Sequence, residues 1–409
     1  MNNLQHSRTE KIKEIVENFI KWLDKYGPSS FDHQSYFAGP IGGRAKSLYY
    51  KKPLIGTLAV SPMIFSEAFL PSARKLFWKK LRFPIADAHY AMGFSFLYNY
   101  YQEDRYYHQA VKFLEALIES RSPGYDNYCW GYPFDWVTRS GTFKANIPFI
   151  TSTPYMYEAF RAVYQIDKDN KWKKIMKSIA EHAVHDIHDF KLGENETTCS
   201  YSPLAKDKGG VVNASAYRSL LLTLASEDLE DDNYWQIAEK NLNFVLNSQR
   251  SNGSWFYAVD DVRDFVDHYH TCFVMKALSK IEKIKDHKGC RESLNRGVNY
   301  YVNNLFDELQ LPKPFSKPPR LTVYKRELYD YAECINLGVL LWNRYPELDE
   351  KINAVIDDVR NRWVKRDGSF RSRELMLGWD NVPMHRWAQS QLFRSLAFYI
   401  SQGINDHHP

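Results

Sequence analysis

The sequence predicts an all-α protein whose helices pair into hairpins and close into a ring, on three observations. One unit recurs along most of the chain: an aromatic-rich helix, a charged amphipathic helix, then a loop carrying Gly, an aromatic residue and Tyr. That loop holds Gly124-Tyr125 and Trp130-Gly131-Tyr132 at its first occurrence and Gly253-Ser254-Trp255-Phe256-Tyr257 later, with a weaker echo in Asp367-Gly368-Ser369-Phe370. Units that repeat in this way cannot bury their own apolar faces alone, so neighbours stack. Second, aromatic-rich helices begin near Asp87, Thr153, Ala214, Asp267, Asp330 and His385, each of the first five followed by a charged partner. Third, the helix over 9–26 is unpaired at one end and the helix over 385–401 at the other. Pairing these two closes six inner and six outer helices into an (α/α)6 toroid, read as one domain over 1–409 with short β-ribbons allowed in the loops. An open α-solenoid would leave both end helices uncapped.

Along the chain, Ile12, Ile15, Val16, Phe19, Ile20 and Leu23 keep helical spacing, and Gly27-Pro28 ends that helix. The stretch 28–84 departs from the pattern and is read as an insertion. It is loop-like around Gly39-Pro40 and Gly42-Gly43-Arg44, then apolar over 54–70, then basic at Arg74, Lys75, Lys79, Lys80 and Arg82. Such a segment is either a lid or belt on the ring, or an interfacial membrane-docking segment over 54–82. The charged partner helices fall near 105–120, 170–188, 232–248, 288–306 and 349–364. The four prolines of 311–319 make a rigid excursion.

Hydrophobic content of 44% with 25% charged residues is that of a globular chain with ample core. Aromatics reach 15%, an excess that serves large core knobs or, in loops, flat floors for sugars. A net charge of +5 without a dense basic helix leaves acidic substrates open and argues against nucleic acid. Five cysteines without a CxxC pair fit a reducing compartment. The first residues lack the apolar run of a signal peptide, so a cytoplasmic location, peripheral at the membrane if 54–82 docks, is expected. No metal and no cofactor are expected.

If the recurring loops gather at one end of the ring, four junctions line its rim. The richest, 255–272, carries Trp255, Tyr257, Asp260, Asp261, Arg263, Asp264, Asp267, His268 and His270. Asp264 or Asp267 could cap the following helix. His268 and His270 point to different sides of a helix, so one faces the cavity as a general acid–base while the other packs. Asp260-Asp261-x-x-Asp264 also matches a diphosphate-binding DDxxD string, although it lies in a loop and lacks a second such motif. The second junction sets Trp130, Tyr132, Asp135, Trp136 and Arg139 as a sugar floor with hydrogen-bonding edges, or as a packed plug; Tyr155, Tyr157 and Glu158 open the next inner helix. The third holds Tyr329 and Glu333 on one face and Tyr331 on another. The fourth holds Arg371, Arg373, His385, Arg386 and Trp387. Arg139, Arg263 and these arginines would make an anion-friendly rim.

With these junctions in place, the chain resembles the (α/α)6-toroid carbohydrate-active enzymes: six-hairpin glycosidases, polysaccharide lyases and the toroid domain of uronyl C5-epimerases. The strongest shared element is Gly253-Ser254-Trp255-Phe256-Tyr257 with the Asp/His-rich helix start after it. The loop Trp130-Gly131-Tyr132-Pro133-Phe134-Asp135-Trp136 resembles proteins of bacterial surface-polysaccharide gene clusters. The resemblance implies action on an acidic polysaccharide or lipid-linked oligosaccharide containing uronic acid. Abstraction of the C5 proton then needs a base, an acid on the opposite face and a cation. His268 or His270 and Tyr329 or Tyr331 are the expected proton-transfer pair, with Arg263 and Arg139 on the carboxylate. Trp130, Tyr132, Trp136, Trp255, Tyr257, Arg373 and His385 are the expected substrate contacts. The alternatives are a glycoside hydrolase pairing Asp135 with Asp261, Asp264 or Asp267, a non-catalytic glycan-binding scaffold, and diphosphate chemistry of the terpene-synthase type at the DDxxD string.

Overall fold

In the computed structural model, which describes residues 2–139, 141–204, 207–260, 262–319 and 322–403, helices follow one another as helical hairpins. They are α1 (Asn2–Tyr26), α2 (Ser35–Ala38), α3 (Pro40–Lys51), α4 (Pro53–Phe69), α5 (Pro84–Tyr101), α6 (Asp104–Glu119), α7 (Thr153–Asp167) and α8 (Asn170–His185). There follow α9 (Val212–Asp228), α10 (Asp232–Asn247), α11 (His268–Lys285), α12 (Lys288–Asn304), α13 (Leu328–Leu340), α14 (Pro346–Asp358) and α15 (Ser390–Ser401). The inner ring is α5, α7, α9, α11, α13 and α15; α6, α8, α10, α12, α14 and α1 lie outside it. This is the expected (α/α)6 toroid.

Burial explains the division. Inner helices are covered on nearly all sides; every residue of α9 from Val212 to Ser226 is buried. Outer helices bury one stripe, as α6 does with Tyr106, Ala110, Phe113, Leu114 and Leu117 at helical spacing. The ring closes where α15 meets α5 and α1. A Cβ on Gly93 would lie 2.5 Å from the Phe393 ring, so only glycine lets the first and last inner helices approach this closely. Glu17 of α1 accepts a hydrogen bond from Arg105 of α6 at 3.0 Å, tying the two ends of the outer layer.

Inner-to-outer turns are short: left-handed residues Gln102, Lys168 and Asp286 cap α5, α7 and α11. Outer-to-inner connections are long and carry the β-ribbons, so they collect at the N-terminal end of the inner helices. Trp136–Thr138 pairs antiparallel with Gly141–Phe143, and Tyr324–Glu327, Arg373–Leu375 and Trp379–Asp380 form a three-stranded sheet. Two π-helical turns, Val359–Trp363 and His385–Gln389, continue α14 and lead into α15.

The insertion differs from the loop read from sequence. It leaves and rejoins the ring at the paired strands Ser29–Ser30 and Leu81–Arg82, and between them it is helical. Pro40 opens α3 at a position where no N–H is needed. A Cβ on Gly42 would lie 1.8 Å from the Tyr36 carbonyl oxygen, so this glycine marks close backbone packing and no break in the helix.

Candidate active site

A cavity of about 310 Å³ opens at the loop-rich end of the ring. Each inner helix reaches it from its first turn or the turn just before it: Ile85, Tyr155, Asn213, His270, Tyr329 and, ahead of α15, Arg386. Tyr132 and Trp136 enter from the first long loop, Tyr257 from the loop before α11, and His33 from the insertion.

One histidine there is oriented by a buried carboxylate. Asp267 caps α11 by accepting from the His270 backbone N–H at 2.9 Å, while its second oxygen lies 2.6 Å from His270 Nδ1. With Nδ1–H donated to Asp267, Nε2 carries the lone pair. Tyr269 and Tyr257 rings flank the imidazole at 4.3 and 4.7 Å. Burial pushes the Tyr257 hydroxyl up to about 12 and Tyr329 well above the usual phenol range, so both stay protonated as donors.

The opposite wall is aromatic and cationic. Trp387 stacks on Tyr329 at 4.5 Å, and His33 lies 4.5 Å from Trp387. The Arg386 guanidinium sits 4.8 Å from the Tyr132 ring, which meets Trp136 edge-on at 5.7 Å. Asp32 holds Arg386 side-on, accepting from Nη2 at 2.6 Å and Nε at 3.0 Å, so Nη1 lies outside that ion pair. Burial opposes the Asp32 charge, but the Arg386 cation and a hydrogen bond from the Gln34 backbone N–H at 2.9 Å overcome it and hold the carboxyl well below the usual range. Burial also drives His33 well below its ordinary value, keeping its ring neutral.

Below lies a polar floor to which all six inner helices contribute. Glu333 pairs with Lys276 and accepts from Arg394 at 3.0 Å; Arg394 reaches His89 Nδ1 at 3.2 Å. Lys276 donates to Tyr155 at 3.2 Å, and the Tyr155 and Tyr217 hydroxyls lie 2.5 Å apart. Burial pulls the Lys276 ammonium down to about 8 against the opposing pull of Glu333.

Several expected residues lie elsewhere. His268 is turned from the cavity: its Nδ1–H donates to the Leu305 carbonyl at 3.1 Å and Nε2 accepts from Tyr301 at 2.6 Å, while burial lowers it to about 3. Tyr331 points to the outer layer and donates to Asp358 at 2.9 Å. Trp130 is a packed plug, its indole N–H on the Leu117 carbonyl at 2.7 Å. Trp255 bonds Val245 O at 3.0 Å and touches only a narrow adjoining recess, which Asp267 and His270 also line. His385 is buried between Tyr90 and the Gly27 carbonyl, at 2.5 and 2.9 Å, with its pKa lowered to about 3 by burial. Arg373 is buried beneath the rim, paired with Glu67 at 2.6 Å and Glu327 at 3.3 Å.

Arg139 is exposed and does not line the cavity. Arg263 is bound to Asp260 at 2.5 Å in the loop, and Asp264 is taken by Lys317. The DDxxD aspartates that are described are thus each spent on a cation, and Asp261 lies outside the described residues. Asp135 is bonded to Lys144 at 2.7 Å and to the Ala145 N–H at 2.9 Å, away from the cavity lining. The site residues that local sequence patterns did not single out include Asp32, His33, His89, Tyr217, Tyr269, Lys276 and Arg394. Arg394 carried a signal as the lone charge of α15, whereas Lys276 shares α11 with Lys280, Lys283 and Lys285 and did not stand out.

Neither a protein-family model nor a curated protein sequence matches the chain. Solved structures do. A cellobiose 2-epimerase from Bacillus thermoamylovorans B4167 superposes with a TM-score of 0.61 at 9% identity, over 78% of this chain and 87% of that one. The unsaturated glucuronyl hydrolase of Bacillus sp. GL1 gives 0.55 at 14%, over 75% and 84%. A polysaccharide lyase gives 0.54 at 10%, over 78% and 89%. These are (α/α)6-toroid carbohydrate-active enzymes, and at such identities the likeness establishes the fold they share with this chain.

Proposed function

We propose that this protein is a carbohydrate-active enzyme of surface-polysaccharide biosynthesis that removes the C5 proton of a uronate residue in an acidic polysaccharide or lipid-linked oligosaccharide. The observation that carries the reading is the composition of the cavity wall. It joins an Asp267-oriented His270, protonated tyrosines and Arg386, while no Asp or Glu is among the described residues lining the main cavity. Paired carboxylates for glycoside hydrolysis would have to come from elsewhere, and Asp135 is committed to Lys144.

In this reading His270 Nε2 takes the C5 proton and Asp267 stabilises the imidazolium that forms. Arg386 Nη1, in the place expected of Arg139 and Arg263, neutralises the carboxylate as it gains enolate character. Tyr329 is the acid on the other face. Delivery of its proton to C5 gives the epimer; departure of the C4 substituent instead gives an unsaturated uronate and a cleaved chain. Trp136, Trp387 and Tyr132 are flat faces for neighbouring sugars. The cellobiose 2-epimerase and the polysaccharide lyase among the structural neighbours support this class of chemistry.

The test is incubation with a panel of uronate glycans in deuterated water, read by C5–H NMR signals and by absorbance of unsaturated uronates. Deuterium at C5 without new ends supports epimerisation, and new absorbance supports elimination. Chain cleavage with neither signal would replace the proposal with hydrolysis. Glycan binding without turnover across the panel would replace it with a binding scaffold.

A further inference from the structure

The α3–α4 hairpin presents an apolar face outward that the ring leaves uncovered. Along α4, Leu54, Leu58, Phe65 and Phe69 are 88%, 76%, 58% and 49% exposed, and their spacing puts them on one stripe. Ile55 borders it at 58%. The opposite face of α4 is fixed inward: Gly56, Val60 and Met63 are buried, and a Cβ on Gly56 would lie 2.1 Å from Tyr49 Cα of α3. The stripe therefore cannot rotate into the core.

Polar groups on this helix are satisfied internally. Thr57, Ser61 and Ser66 hydroxyls donate to the carbonyls of Pro53, Thr57 and Pro62 at 2.7, 2.6 and 2.8 Å. Such back-bonding leaves those hydroxyls no need of water. Around the stripe the exposed charges are basic: Arg44, Lys51, Lys52, Lys75 and Lys79. Glu67 is the single acid between Pro40 and Arg82, and Arg373 of the ring already holds it at 2.6 Å. No helix among the described residues is long and apolar enough to cross a membrane, so the stripe is suited to lying in an interface.

We infer that this hairpin is a docking surface for an anionic phospholipid bilayer, with Leu54, Leu58, Phe65 and Phe69 entering the acyl boundary and the surrounding lysines meeting headgroups. Charge decides between a bilayer and a second copy of the chain. Two copies joined by this face would bring Lys51, Lys52, Lys75 and Lys79 together, whereas an anionic surface neutralises them. The hairpin is also mounted rigidly on the cavity rim. Arg74 makes a buried pair with Asp380, and α2 and α3 pack on the strand carrying Trp136. Docking would hold the cavity mouth beside the membrane surface, which, on the reading above, favours a lipid-linked substrate.

The test is co-sedimentation of the full chain with vesicles of phosphatidylcholine alone or mixed with phosphatidylglycerol, beside light scattering of the protein alone. It needs no turnover, so its outcome is separate from that of the proposed reaction. The wild type is expected to bind the mixed vesicles, less so at high salt. Leu58→Glu with Phe65→Glu should abolish binding, and Lys51→Glu with Lys52→Glu should weaken it on the order of tenfold or more. All four side chains face solvent, so thermal melts should match wild type. Absence of wild-type binding to the mixed vesicles, or binding indifferent to the Leu58/Phe65 change, would overturn the proposal. A dimer that this change converts to monomers, without vesicle binding, would assign the face to a second copy instead.

Discussion

Replacing Asp267 by Asn separates the two tasks of that carboxylate. Its Oδ1 caps α11 through the His270 backbone N–H at 2.9 Å, and an amide oxygen can keep that bond. Its Oδ2, on a side chain only 1% exposed, lies 2.6 Å from His270 Nδ1 and holds the ring tautomer with Nε2 unprotonated. An amide NH2 at that position donates toward Nδ1 and so favours the tautomer with the proton on Nε2, where the base must act. A charge-assisted hydrogen bond is worth about 1.5–3 kcal/mol, or about 10- to 150-fold in rate if imidazolium develops in the transition state. The expected result for Asp267→Asn is therefore a kcat loss in that range, KM changed by less than about threefold, and a stability cost under about 1 kcal/mol. Steady-state kinetics on the glycan found by the panel, with thermal melts in parallel, measures both. Unchanged kcat would refute the His270 assignment. A large fall in melting temperature matching the loss of activity would show that the residue serves the fold alone.

Three further outcomes follow from the same geometry. Asp135→Asn should leave turnover within about twofold of wild type, because that carboxylate faces Lys144; abolition of activity would restore the hydrolase reading. Trp136→Ala should weaken glycan binding by about tenfold with little loss of stability, whereas Trp130→Ala should cost about 3–5 kcal/mol in denaturant melts, since its ring is a buried plug. Asp87 is buried with one oxygen unpartnered and the other accepting from Arg82 at 2.9 Å, and burial pushes it up to about 7. A raised carboxyl pKa favours the fold below the unfolded value and loses that contribution as pH rises through 7. Wild-type stability should thus fall by up to about 4 kcal/mol between pH about 4 and 7 from this group, and Asp87→Asn should flatten the profile in pH-dependent melts.

The ring was legible because helical periodicity is repeated and strong, and because two unpaired end helices need each other. The site was legible down to the junctions, but single-residue choices were not. His268 and His270 share a helix start, and only the packing of Leu305 and Tyr301 against His268 decides which one faces the cavity. His385 and Arg386 are adjacent in a π-helical turn, whose register no 3.6-residue pattern anticipates. Trp130 and Trp136 look equivalent as loop aromatics; the Leu117 carbonyl claims one and the cavity receives the other. His33 reaches the cavity from the insertion, a contact of long sequence separation that local patterns do not encode.

The most direct test of the account is hydrogen–deuterium exchange at C5 of a uronate glycan, compared between wild type and His270→Gln, with glycan affinity measured on both. Exchange is expected in the wild type and should be lost in the variant while binding is retained. Exchange that persists in His270→Gln would contradict the proposed chemistry at this cavity.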